Sequence, residues 1–227
     1  MFKTEAHVHT SDVSKCGQIS AKEVIRLYAE AGFDTVFITE HINSASINSW
    51  GELGSWEEKV ERYMRGYLAA REEGERLGIR VLFGAEICFK QPEGNCNDYL
   101  VYGIDRDFLL GYPDLNHYSI EEFYKYAKER GATVIQAHPH RGHKCYPTPE
   151  WVDGVEIFNA HPRHTNYNDE ALATARRHGL IMTVGSDVHM KGDEARAYIL
   201  TEERIESAED YIRAITEGRA KFVTPEE

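Results

Sequence analysis

His7-Val8-His9 places two imidazoles on one side of an extended chain, because side chains at i and i+2 of a strand share a face. Further along come Thr39-Glu40-His41, Gly84-Ala85-Glu86, Gln136-Ala137-His138-Pro139 and Gly185-Ser186-Asp187-Val188-His189. Each follows a short apolar run that reads as a strand, and Asp187 and His189 repeat the spacing of His7 and His9. One such histidine is ordinarily a hydrogen-bonded core residue. Histidines and carboxylates recurring at successive strand ends are the donor set of a multinuclear metal site assembled from distant parts of the chain.

The residue types suggest roles. Glu86 ends an apolar strand, where a carboxylate is costly unless it is paired or ligated. Its two oxygens can bridge two ions. His138 would serve the second ion, and Pro139 halts its strand. Asp187 would ligate the first ion and orient the attacking water. His41 is expected to ligate, with Glu40 supporting it. Asp98 opens a strand, and a ligand role stands beside a plain capping role. Arg141, Lys144 and Arg163 follow strand-end motifs, where an arginine could clamp phosphate or remain a solvated loop charge. His140, His161 and Asn159 lie near the same mouth and could act as general acid or substrate contacts, or be structural. His117, His164 and His178 read as structural. Trp50 and Trp56 would line the mouth or, more simply, pack against the barrel. The metal set is therefore His7, His9, His41, Glu86, Asp98, His138, Asp187 and His189. The catalytic set is Asp187, His140, Arg141 and Arg163.

Alternating strands and helices must position these groups. Strands are expected at 4–9, 34–39, 80–86, 99–104, 132–137, 154–158, 180–185 and 197–201. Helices are expected after Ser20 and Ser119, which carry capping-box spacing to Glu23 and Glu122, and at 55–77, 168–178 and 207–217. Runs such as Val36-Phe37-Ile38 and Thr133-Val134-Ile135 suit parallel strands covered on both faces. About seven βα units in one domain spanning 1–227 imply a small, closed or nearly closed barrel, whose chemistry sits at the C-terminal ends of the strands.

The 227 residues carry a formal charge of −12. That balance disfavours polyphosphate backbones and anionic membranes as partners. The four cysteines form no Cys-x-x-Cys pair and read as reduced thiols. The N-terminus lacks an apolar signal core and no apolar run reaches membrane length, so a cytoplasmic protein is expected.

In order, HVH, ITEH, GAEI, QAHP, EIFNA and GSDVH resemble the motifs of the PHP (polymerase and histidinol phosphatase) superfamily over residues 7–189. The resemblance implies a distorted (β/α)7 barrel and two to three divalent ions (Mn, Fe or Zn). His7, His9, Glu86 and Asp187 would hold the first. Glu86, His138 and a residue of the following strand would hold the second, and His41 and His189 the third. Two positions depart from the family pattern. Where relatives place a His or Asp after HxH, this chain has Ser14 and Lys15, with Asp12 and Cys16 nearby. Asp98 stands where many relatives have His, which favours harder ions. The implied activity is hydrolysis of a small phosphomonoester by a metal-bridging hydroxide. The alternatives are a phosphodiesterase or exonuclease acting on nucleic acid, hydrolysis of C–N or C–O esters, and a metal-binding module without catalysis.

Overall fold

The computed structural model describes residues 1–43, 46, 54–89, 91 and 97–225. The strands are β1 (Phe2–Glu5), β2 (Thr35–Ile38), β3 (His41–Ile42), β4 (Arg80–Ile87), β5 (Asp98–Tyr102), β6 (Thr133–Ala137), β7 (Gly154–Asn159), β8 (Ile181–Gly185), β9 (Tyr198–Thr201) and β10 (Lys221–Val223). The helices are α1 (Ala21–Glu30), α2 (Trp56–Leu77), α3 (Arg106–Leu110), α4 (Ile120–Glu129), α5 (Asn168–His178) and α6 (Ala208–Thr216).

The strands run in the order β10-β9-β1-β2-β4-β5-β6-β7-β8, and β3 pairs with β4. A parallel bridge between Val8 and Val188 joins the two sides. There the His9 amide donates to the Val188 carbonyl at 3.0 Å, and the Val188 amide to the His7 carbonyl at 3.3 Å. The result is a nearly closed, mixed barrel of β1, β2 and β4 to β8, surrounded by helices.

Two strand expectations need correction. Parallel pairing holds for β1-β2-β4 and for β6-β7-β8, but β5 is antiparallel to both neighbours. Residues 88–97 join β4 to β5. A parallel crossover needs about a dozen residues or more, so this connection can only turn the chain back. The start of β5 thereby lies at the rim where the other strands end. The first strand is also shorter than expected. Its regular pairing stops at Glu5, whose Oε1 accepts from the amides of Ala6 (3.0 Å) and His7 (3.1 Å), taking the place of a neighbouring strand.

Helix starts follow their caps. Ser55 with Glu58 and Ser119 with Glu122 form complete capping boxes, and the Ser20 hydroxyl accepts from the Glu23 amide. α1 and α2 cover β1, β2 and β4 through Val24, Ile25, Tyr28 and Ala70, packed with Val36, Ile38 and Val81. A second cluster joins Phe37, Leu100, Tyr102 and Ile135 to Tyr211 and Ala214 of α6. The polar rim of the barrel is therefore backed by apolar clusters.

Candidate metal centre

The barrel gathers the predicted ligands at one rim. His7 and His9 follow β1 and flank Val8. His41 opens β3 and is in register with Glu86 at the end of β4. His138 follows β6, and Asp187 and His189 follow β8. Asp98, at the start of the reversed β5, lies opposite Ala137 and so beside His138.

Among the described residues, potential ligand atoms form three groups, each with its atoms within 4.8 Å of one another: His7, His9 and Asp187; Glu86, Asp98 and His138; and His9, His41 and His189. Glu86 stands between them. Its Oε2 is 3.1 Å from His9 Nε2, 3.4 Å from His7 Nε2 and 2.9 Å from His41 Nδ1, while its Oε1 is 3.0 Å from His138 Nε2. Asp187 Oδ1 is 3.5 Å from His7 Nε2 and 3.4 Å from His9 Nε2.

These residues fit metal ions. Glu86 Oε2 and His41 Nδ1 are buried without an aligned hydrogen-bond partner, although they lie close together. His7 Nε2 and His9 Nε2 face each other at 3.0 Å. Imidazole and carboxylate donors converging in this way suit Zn, Mn or Fe. Two residues of the set have left-handed backbones without being glycine, His138 (φ 30°) and Asp187 (φ 53°). Such strain gathers at functional sites, where the surroundings over-determine it.

Charge follows the same pattern. Burial opposes protonation of His7, but Asp187, Glu156 and Glu86 hold its pKa well above the ordinary value. Burial likewise opposes protonation of His41, and Glu86 raises it. Burial opposes ionisation of Asp187, yet His7 and Arg141 keep its pKa well below the usual range. A cation bound here must displace the imidazole protons. Apparent metal affinity should therefore rise with pH and weaken as pH falls, with protons released on binding. Competition titrations at about pH 6 and pH 8 in two buffers of different ionisation enthalpy would check both signs; equal affinity and no proton release would contradict them.

The supporting groups include one that sequence reasoning missed. Glu156, buried in β7, places Oε1 2.9 Å from His7 Nδ1 and accepts the His138 amide on Oε2 at 3.1 Å. Asn159 Nδ2 donates to Glu156 Oε2 at 2.8 Å and to Asp187 Oδ2 at 3.1 Å. The carboxylate holds the proton of His7 on Nδ1, leaving Nε2 for a metal. Gly185 makes room for this pair, since a Cβ there would lie 2.5 Å from His7 Cβ and 2.6 Å from Glu156 Oε1. The available signal was a lone charge inside the apolar run Val155-Glu156-Ile157-Phe158. Glu156→Gln should weaken metal binding by roughly 10–100-fold, measured by chelator competition; unchanged affinity would remove Glu156 from the site. His189 is oriented similarly, with Nδ1 3.0 Å from the Asp187 carbonyl.

Glu40 holds the loop after β1, and Ser14 Oγ, which donates to it, also lies 3.5 Å from His9 Nδ1. Glu40 accepts from the amide and hydroxyl of Thr10 and from the Ser14 hydroxyl (2.5 Å). Ser14 Oγ in turn accepts the His41 amide at 2.9 Å. Ser14 thus supports the loop, and Lys15 is exposed. Cys16 is brought to the side chains of His189 and His41. Burial raises its thiol pKa, but the neighbouring imidazoles of His189 and His41 outweigh that and lower it to about 6.

The other candidates divide. Arg141 reaches Asp187 Oδ2 at 2.5 Å, Asn159 Oδ1 at 2.9 Å and Asn166 Oδ1 at 2.8 Å. Arg163 is held by Asp193 at 2.8 and 2.5 Å and lies against His161. The His161 ring is 5.0 Å from that of His189, and burial foremost pushes its pKa down to about 3. His140 turns to α5, with Thr174 Oγ1 at 3.0 Å and Glu170 Oε2 at 3.3 Å. Lys144, His117, His164 and His178 are exposed. Trp56 donates to the Leu109 carbonyl at 2.7 Å and packs on the core. Trp50 lies outside the described residues.

Among the described residues no helix is long and apolar enough to cross a membrane. The chain has no significant match among curated proteins. It resembles several solved structures. A two-domain protein from Bacteroides vulgatus, containing a predicted PHP-like metal-dependent phosphoesterase, is 18% identical with a TM-score of 0.70 over 98% of this chain, which spans 64% of that protein. PsfC from Pseudomonas syringae is 19% identical with a TM-score of 0.66, covering 99% of this chain and 91% of PsfC. The lesion-specific endonuclease PfuEndoQ from Pyrococcus furiosus is 15% identical with a TM-score of 0.62, covering 97% of this chain and 57% of the endonuclease. At these identities the likeness concerns the fold. Residues 5–221 match the PHP domain model, and with the ligand residues of its motifs assembled at one barrel rim, the chain belongs to the PHP domain family.

Proposed function

We propose that this protein is a metal-dependent phosphomonoesterase acting on a small phosphorylated substrate with two or three divalent ions. The observation that carries the reading is Glu86, whose two oxygens face different histidines, Oε1 toward His138 and Oε2 toward His7, His9 and His41. One carboxylate between two ligand sets is the arrangement of a dinuclear centre. His7, His9, Glu86 and Asp187 would hold one ion, and Glu86, Asp98 and His138 a second. When bound, such ions acidify a water molecule and neutralise charge on phosphoryl oxygens.

The chain's own residues do the rest. Glu156 fixes His7, and Asn159 fixes both Glu156 and Asp187, so the ligands need little reorganisation on binding. Arg141 brings a guanidinium to Asp187 at the mouth; Asn166, Asn159 and Asp187 hold its Nε and Nη2, and its Nη1 is the donor left to meet a phosphate oxygen. His161 is neutral near pH 7 and is suited to accept a hydrogen bond rather than supply a proton. His140, engaged on α5, is a poor candidate for the general acid.

The charge of −12 favours a small substrate over a polynucleotide. The test is hydrolysis of an aryl phosphate monoester, a bis-aryl phosphodiester and single-stranded DNA after chelation and Mn²⁺ reconstitution. The monoester should turn over fastest. Faster diester or DNA cleavage would favour a nuclease, and bound metal without hydrolysis of any of them a binding module.

A further inference from the structure

One buried carboxylate joins the two chain segments that carry His7 and Asp187. β1 and β8 meet in a parallel bridge between Val8 and Val188. The residues just before that bridge, Ala6-His7 on one side and Ser186-Asp187 on the other, lie outside the regular ladders. Glu5 spans the two. Its Oε1 accepts the amides of Ala6 at 3.0 Å, His7 at 3.1 Å and Ser186 at 3.1 Å. One oxygen thus holds the amide of His7 and the amide of the residue before Asp187. Its Oε2 accepts from the Tyr28 hydroxyl of α1 at 2.8 Å, which fixes the carboxylate from behind.

The surroundings leave the two segments little slack. The Val188 amide donates to the His7 carbonyl at 3.3 Å. A Cβ on Gly185 would lie 2.5 Å from His7 Cβ, so the segments already touch there. Ser186 Oγ donates to the Ala197 carbonyl at 3.2 Å and accepts the amides of Arg196 at 3.0 Å and Ala197 at 3.1 Å, which ties the β8 side to the chain entering β9. Glu5 itself is fully buried. The donors that reach it are amides and a phenol, none of them a cation. Burying a carboxylate without a counter-charge is costly. What the fold gains from it is a single acceptor shared by amides of two segments, which would otherwise lose their partner inside the protein.

We propose that Glu5 is a positioning residue of the metal centre: by holding the His7 and Ser186 amides on one oxygen, it sets the spacing of His7 and Asp187. His7 Nε2 and Asp187 Oδ1 lie 3.5 Å apart, a separation that one ion can span. Movement of the β8 end against β1 would change it. That movement weakens the ion held by His7, His9 and Asp187 and spares the one at Glu86, Asp98 and His138, which stand on β4, β5 and the end of β6. The proposal rests on the reading of this rim as the metal centre of a phosphoesterase, but its readout needs no turnover.

The experiment titrates the chelated full chain with Mn²⁺ against a competing chelator, for wild type, Glu5→Gln, Glu5→Met and Tyr28→Phe, and records the amide resonances of the metal-free proteins by NMR. Glu5→Gln can keep its oxygen on the amides and turn its NH2 to the Tyr28 oxygen. Near-wild-type affinity is expected, with the resonances of Ala6, His7 and Ser186 little moved. Glu5→Met fills the space without an oxygen acceptor. Those resonances should shift, and one metal equivalent should bind roughly 10–100-fold more weakly while another is retained. Tyr28→Phe removes a buried hydrogen bond but leaves the amides in place, so it should lower the melting temperature and weaken neither ion. Wild-type binding in Glu5→Met, or an equal loss in Tyr28→Phe, overturns the proposal. If Glu5→Met does not fold, Glu5→Asp, one methylene short of the amides, is read against Glu5→Gln. It should lose the equivalent that Glu5→Gln keeps, and equal binding by the two overturns the proposal. The expected metal pattern, with no phosphate ester hydrolysed by loaded wild type, would keep the role of Glu5 and remove the phosphoesterase reading alone.

Discussion

Asp187→Asn should lower metal-dependent phosphate hydrolysis by roughly 1,000-fold or more, about 4 kcal/mol of transition-state stabilisation, and leave the fold intact. Asp187 Oδ1 faces His7, His9 and His189, and Oδ2 takes Arg141 and Asn159. The amide keeps the shape but loses the anionic donor. It also loses the negative charge that holds Arg141 at the mouth. Asparagine is the right probe because the position has φ 53°, a region that Asn enters more readily than most residues. Alanine would confound ligand loss with backbone strain. Unchanged circular dichroism with collapsed turnover is the expected pair of results. Near-full turnover in Asp187→Asn would remove Asp187 from the reaction.

Glu86→Gln should be the most damaging change to metal content. Four histidines face this one side chain, so a neutral amide weakens two ion positions together. We expect loss of at least two metal equivalents per chain at a chelator concentration that leaves wild type loaded, and turnover below that of Glu156→Gln. A second effect is visible without metal. Glu86 is among the charges that raise the pKa values of His7 and His41. In metal-free Glu86→Gln both should titrate at lower pH than in metal-free wild type, which NMR of the imidazole carbons would record. Full metal occupancy in Glu86→Gln would contradict the bridging role.

The convergence of the strand-end candidates was legible because burial restricts what such groups can do. A histidine or carboxylate directly after an apolar run must be paired or ligated, and His7, His9, His41, Glu86, His138, Asp187 and His189 all reach one rim for that reason. Asp98 was harder to read, since its place depends on the reversal of β5, which follows from the short 88–97 connection rather than from local pattern. Glu156 sits mid-strand, where period-two alternation turns it inward, and a rule tuned to strand ends passes over it. His140 neighbours His138 in sequence, but the turn after β6 sends its ring to α5. The path of residues 11–19 depends on the hydrogen bond from the Gln18 amide to the His189 carbonyl, a contact between residues far apart in sequence that no spacing rule encodes.

The most direct test of a multinuclear hydrolytic centre is turnover of an aryl phosphate as a function of metal equivalents added to the chelated protein. No turnover is expected without metal, with activity that rises only as the second equivalent binds. Turnover in the metal-free protein, or full activity at a single bound ion, would contradict such a centre.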